Sequence, residues 1–178
     1  MSASDEALAE VKAAQTEFDL GAVFRSQYAR IARIIGRVVR DSARAEELAV
    51  EVFLKLSRSP RAQRENTEAW LYRVAVRTGL DELRRSARRS RYEHLVSFVR
   101  GTPTPEEILA ANQEQERVRR VLCLISPRQA ELLLLRSQGL TYDEVAAALK
   151  RNPASIGTLL SRAQDSFRKE YIKLYGPR

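Results

Sequence analysis

The chain is poor in the residues that cross-link, turn or catalyse. Its 178 residues include one cysteine, one histidine and one tryptophan, with seven glycines and six prolines. A single cysteine, Cys123, excludes an intrachain disulfide framework; it fits a reducing compartment and the role of a small core residue. The lone His94 lies in a basic connecting stretch, without a partner for acid–base work. No His/Cys cluster has metal-ligand spacing, and no glycine-rich run could cradle a phosphate. Neither an enzyme nor a cofactor is expected. No apolar run is long enough for membrane insertion. The acidic start MSASDEALAE lacks a signal-peptide pattern, so a cytoplasmic protein is expected. Aromatics are scarce at 7%, and so few rings and turn residues favour helices over sheets.

Positive charge is abundant. Lys and Arg number 31 against 23 Asp and Glu, a net +8. An excess of this size points to a polyanionic partner, although a solvated basic surface would give the same total. Hydrophobic residues at 44% are enough for a packed core.

The first half reads as three helices. In FDLGAVFRSQYARIARIIGRVV, apolar residues recur at Val23, Phe24, Tyr28, Ile31, Ile34, Ile35 and Val38 with helical spacing. Asp41-Ser42 breaks that pattern and caps a second helix, ARAEELAVEVFLKLSR. Its apolar face is Leu48, Val52, Phe53 and Leu56, and Glu46, Glu47 and Glu51 lie on another face. SPRAQREN reads as a basic loop. Asn66 or Thr67 then caps EAWLYRVAVRTGLDELRRSARR, with Trp70, Leu71, Val74, Leu80 and Leu83 turned inward. Periodicity fades around Val99–Thr104, and GTPTP is turn-forming. Residues 92–112 therefore read as a linker, with helix possible again from Thr104.

The second half is more sharply punctuated. ERVRRVLCLI is amphipathic. Ser126, Pro127 and Gln129 form a helix start, and Gly139 ends that helix. Thr141 and Glu144 make a second capping box. Asn152 and Pro153 open a long final helix. A short helix, a tight turn and a long helix compose a helix-turn-helix, with small Ala146 allowing a close crossing and Val145, Leu149, Ile156 and Leu160 as shared core. An ordinary helical hairpin shares this outline; the stacked caps and the apolar spacing favour DNA binding.

With these segments in order, the chain resembles the extracytoplasmic-function sigma factors of bacterial RNA polymerase, from about Phe18 to Tyr171. ARAEELAVEVFLKL resembles the family's clamp-docking helix. EAWLYRVAVRTGLDELRRSARR resembles its minus-10 helix. LISPRQAELLLLRSQGLTYDEVAAAL and LLSRAQDSFRKEY resemble the two ends of its minus-35 domain. The resemblance implies an all-α fold of two small helical domains joined by a flexible linker. It divides the chain into an N-terminal extension (1–17), a region 2-like domain (18–91), the linker (92–112) and a region 4-like helix-turn-helix domain (113–178). The implied function is that of an alternative sigma factor directing promoter-specific initiation. Its implied partners are core RNA polymerase, promoter DNA and an anti-sigma factor or other regulatory protein.

The resemblance also implies roles. Glu47, Leu48, Val50 and Glu51 would face the polymerase. Arg61, Asn66, Arg73, Arg77, Arg84 and Arg85 would meet the minus-10 element. Lys150, Arg151, Ser155, Thr158 and Arg162 would meet the minus-35 element. Independently of any family, Arg73, Arg77 and Arg84 are four and seven apart and share a helix face suited to tracking phosphates. Three positions depart from the family pattern: Val50 stands where Gln is usual, Arg77 where Asn is usual, and Gly157-Thr158-Leu159 where a basic-Ser-basic run is usual. Without those basic residues, bidentate guanine readout from 157 and 159 is impossible. The departures keep an alternative open: a sigma-like adaptor or decoy that binds a regulatory protein without initiating transcription. A helix-turn-helix repressor is a third reading.

Overall fold

The computed structural model describes residues 18–100 and 110–177, with side chains for all of these except 90–100 and 110–112. Every regular element among them is a helix. The first half holds α1 (Leu20–Gly36), α2 (Ser42–Ser57), the short α3 (Pro60–Arg64) and α4 (Thr67–Arg100). The second holds α5 (Ala110–Leu124), α6 (Pro127–Ser137), α7 (Tyr142–Leu149) and α8 (Pro153–Tyr175). The N-terminal extension, 1–17, and the centre of the linker, 101–109, lie outside the described residues.

Local chemistry sets the helix starts. Asp41 accepts from the Arg44 amide, and Asn66 Oδ1 accepts from the Ala69 amide. Ser126–Gln129 and Thr141–Glu144 are complete capping boxes, and Asn152 Oδ1 accepts from the Ala154 amide. Each cap satisfies amides that a helix start leaves unpaired. Gly139 takes φ +83° in the turn after α6. Lys150 takes φ +53° between α7 and α8. That left-handed conformation costs a side-chain-bearing residue about 1 kcal/mol.

Two segments differ from their sequence reading. Pro60–Arg64 is a helical turn rather than a loop. Pro60 pre-sets its first position. Helix α4 also continues past Arg89 to Arg100, and α5 begins at Ala110, so helix occupies both margins of the 92–112 stretch. Nothing between Ser90 and Arg100 breaks a helix; the first breakers are Gly101 and Pro103.

The first half packs α1, α2 and α4 around Ile31, Ile35, Val52, Leu56, Leu71 and Val76, each almost wholly buried. Phe24, Tyr28 and Phe53 stack at its edge. The second half packs α6, α7 and α8 around Leu135, Val145, Ile156 and Leu160. The halves then meet: α4 lies against α6, α7 and the end of α5, and one continuous apolar cluster runs from Ile31 to Ala163. Polar contacts rim this junction. Arg37 donates to the Gln138 side chain (2.9 Å) and Arg119 to the Val38 carbonyl (3.1 Å). Arg40 pairs with Glu116 at 3.5 Å.

Candidate nucleic-acid interface

Helix α4 carries the first basic surface. Arg73, Arg77 and Arg84 do share one face, as their spacing requires. That face is turned toward the second half of the chain. Arg77 grips Glu131 of α6 with both prongs: Nε to Oε1 at 2.7 Å and Nη2 to Oε2 at 3.2 Å. The Glu131 side chain is only 6% exposed. Arg84 donates to the carbonyls of Leu122 and Ile125 at the C-terminal end of α5, each at 3.5 Å. Arg73 is half-buried, and burial first, then the neighbouring Arg77 charge, pushes its guanidinium below the ordinary value. Its Nε is buried without a hydrogen-bond partner among the described residues.

Arg85 belongs to a different cluster. Glu82, buried on α4, is ringed by Arg85 (2.8 Å), Arg44 (3.3 Å) and Arg89 (3.5 Å). Arg85 thus pairs with an acid of its own helix while its side chain stays more than half exposed. A buried carboxylate needs such partners, because desolvation without them is prohibitive.

The turn before α4 is stitched to itself. Arg61 pairs with Glu65 at 2.6 Å. Gln63 donates to the Leu56 and Ser57 carbonyls, closing the end of α2, and Thr67 donates to the Ala62 carbonyl. The Asn66 side chain is engaged as the α4 cap. Glu65 is held down to about 2, chiefly by Arg61 and next by Lys150.

The second basic surface lies around α8. Thr158, Arg151 and Arg162 are exposed, and Ser155 is half-exposed with its hydroxyl donating to the Asn152 carbonyl (2.7 Å). Lys150 reaches back to the first half and pairs with Glu65 at 3.0 Å. A side chain at Gly157 would approach the ring of Tyr142, whose Cε2 lies 3.7 Å from that direction. Tyr142 is half-exposed and carries the Arg136 guanidinium over its ring at 5.6 Å. Tyr142 and Arg136 were not among the residues marked by sequence; nothing in their spacing distinguishes them from an ordinary helix start.

On α2, exposed Glu47 and Val50 and half-exposed Glu51 line one strip. Leu48 does not join them. It is 2% exposed and belongs to the core, because it stands four residues from Val52 and eight from Leu56 on the inward stripe. The apolar residue that extends the strip is Leu54, half-exposed and four residues after Val50. Arg44 crosses behind the strip, pairing with Glu47 (2.8 Å), Glu51 (3.7 Å) and Glu82.

Two helical halves, one with an arginine-lined long helix beside an acidic-apolar strip and one with a capped helix-turn-helix, define a sigma-type transcription factor. Known families agree. Residues 23–89 match Sigma-70 region 2, and residues 115–163 match Sigma-70, region 4. The chain is 30% identical over 164 residues to the ECF RNA polymerase sigma factor SigK of Mycolicibacterium vanbaalenii, covering 87% of this chain and 82% of that one. It is 26% identical over 159 residues to the RNA polymerase sigma factor YlaC of Bacillus subtilis, covering 85% and 91%. Among solved structures it is similar to the sigma factor RpoE, crystallised with the anti-sigma factor NepR from Bartonella quintana. That likeness has a TM-score of 0.48 and 18% identity, over 88% of this chain and 98% of that one. The chain belongs to the extracytoplasmic-function sigma factors of the sigma-70 family. Its function is that of an alternative sigma factor directing transcription, and its class is that of transcription regulators. No described helix is long and apolar enough to cross a membrane.

Proposed function

We propose that the chain, acting in the cytoplasm, docks on core RNA polymerase through Glu47, Val50, Glu51 and Leu54 of α2. The observation that carries this is the strip itself: two carboxylates and two exposed apolar side chains on one helix face. Such a strip suits a basic, partly apolar partner. Arg73, Arg77 and Arg84 then meet the minus-10 region, chiefly through phosphates. Arg61 and Arg85 add charge beside them. Asn66 shapes the turn that carries this surface rather than reading a base.

Lys150, Arg151 and Arg162 hold the minus-35 duplex by its backbone, with Ser155 and Thr158 facing the groove. With no charge at Gly157 or Leu159, selection at this element rests on Thr158 and on DNA shape. An anti-sigma factor or other regulatory protein that covers the α2 strip would silence the chain. The test is titration with purified core RNA polymerase, followed by transcription from candidate promoters. Stoichiometric binding and a promoter-dependent transcript are expected. Binding without any transcript would instead favour the adaptor or decoy reading, which the uncharged centre of α8 and the Val50 position keep in view.

A further inference from the structure

We infer that the minus-35 surface selects thymine, by burying its 5-methyl group against the Tyr142 ring, the bare backbone of Gly157 and the methyl of Thr158. This rests on the proposed role of α8 in the major groove. The centre of α8 offers a base edge no charge, but it does not stand alone. Tyr142, the first residue of α7, lies beside it, with Cε2 3.7 Å from the position a Cβ at 157 would take. Tyr142 is 48% exposed, Gly157 half-exposed and Thr158 exposed. Ring edge, glycine backbone and threonine methyl thus form an apolar patch on a basic surface. Arg136 lies over the ring at 5.6 Å, and Arg151 and Arg162 stand exposed before and after the patch along the chain.

The major groove has one apolar group to match such a patch. Guanine, adenine and cytosine display hydrogen-bonding atoms there, and thymine alone adds a methyl. Burying that methyl against carbon is favourable, and the flanking arginines need only hold phosphates to keep it in place. A guanine edge on the same patch would lose its bound water and gain no donor from the ring edge or Gly157. Two local features keep the patch in shape. Arg136 donates to the Leu140 carbonyl at 2.8 Å while its guanidinium covers one face of the Tyr142 ring, so it acts as a positioning residue. Gly157 is the other. Glycine is unfavourable inside a helix, and a methyl here would meet the ring at ordinary contact distance. Packing therefore does not require glycine. Its effect is to leave the ring edge uncovered, where a longer side chain would lie across it.

The full chain, free and bound to core polymerase, is offered a randomised duplex library, and the enriched sequence is remade as a fluorescein-labelled probe. Each thymine is replaced in turn by deoxyuridine, which keeps the hydrogen bonds and removes only the methyl. Replacement under the patch should weaken binding, read by anisotropy, roughly fourfold, the worth of one buried methyl. Replacement elsewhere should change little. Thr158→Ser, which keeps the hydroxyl, and Tyr142→Ala should each shrink that penalty, with circular dichroism and melting verifying the fold. Arg136→Gln should narrow the preference for thymine over uracil more than it lowers affinity for the uracil probe. Gly157→Arg should move the selected base from thymine to guanine, which an arginine reads. An enriched sequence indifferent to every methyl overturns the inference and leaves the minus-35 role standing. So does a uracil penalty unchanged in Thr158→Ser and Tyr142→Ala, which would belong to the DNA rather than to the patch. No enriched sequence in either form removes groove reading by α8 itself, and the thymine preference with it.

Discussion

The two helices that carry DNA-directed charge make opposite use of it. Helix α4 has many arginines, but Arg77 and Arg84 are held by the second half of the chain and Arg85 and Arg89 by Glu82. Helix α8 has an uncharged centre, Gly157-Thr158-Leu159, yet its flanking Arg151 and Arg162 stand exposed. The richer helix is the one whose arginines are already paired, although Arg77, Arg85 and Arg89 keep more than half of their side-chain surface exposed. Net charge measures what a chain carries; tertiary contacts decide how much of it is already paired.

The contrast can be tested first at the core. Leu71 in the first half and Leu135 in the second are both wholly buried in one continuous cluster. Substituting either by Ala should cost about 2–5 kcal/mol. Because the cluster is shared, each change should lower a single calorimetric transition. Two separate transitions, each moved by only one of the variants, would mean that the halves fold independently.

A smaller effect is expected at the α2 strip. Glu47→Lys with Glu51→Lys should weaken binding to core polymerase at least tenfold, since like charge across an interface is strongly disfavoured. Affinity for duplex DNA through α8 should be little changed. Anisotropy with labelled polymerase and with labelled duplex separates the two surfaces.

A subtler comparison uses the same substitution in both helices. Gly157→Ala should stabilise the protein by about 0.5–1 kcal/mol, because a helix-interior glycine is entropically unfavourable. The new methyl meets only Tyr142, at 3.7 Å. Gly79→Ala in α4 places its methyl 3.4 Å from Val38 Cβ, against the packed end of the first-half core, and should gain less. Urea unfolding midpoints for the two variants rank them; an equal gain would mean that the α4 packing has more slack than its geometry gives.

The smallest effect concerns pH. The Glu65 carboxyl is held down to about 2 by Arg61 first and Lys150 second. Its folded value lies below its unfolded one, so its contribution is full above about pH 4.5 and fades as pH falls toward 2. The Lys150–Glu65 tie should thus persist from neutrality to about pH 4. Comparing the acid dependence of melting for wild type and Glu65→Gln isolates this: the two curves should differ by a constant above pH 5 and converge only in strong acid.

The helix-turn-helix was legible because its signals are local. Ser126–Gln129, Thr141–Glu144 and Asn152-Pro153 each complete a cap within three residues, and the structure has all three. The inward stripes of α1 and α2 were equally plain, since helical period alone places Ile31, Ile35, Val52 and Leu56 on one side. Leu48 lies both on the apolar stripe and in the stretch that resembles a clamp-docking helix, and its period with Val52 places it in the core. The helical course of 92–100 is not legible in the sequence, where periodicity fades around Val99–Thr104 and GTPTP marks a turn; a helix needs only the absence of breakers to continue. Glu131 carried no sequence signal of its role, an acid beside a leucine run whose partner Arg77 lies 54 residues away.

The sequence by itself determined the all-helical class, the helix starts, the two family segments and the placing of arginines on one face of α4, because caps and periodicity act within a few residues. Only the tertiary structure decided what that face meets. Pairing Arg77 with Glu131 and Arg84 with the end of α5 depends on how two halves dock, and docking is set by summed apolar burial and charge across distant segments, which no local pattern encodes.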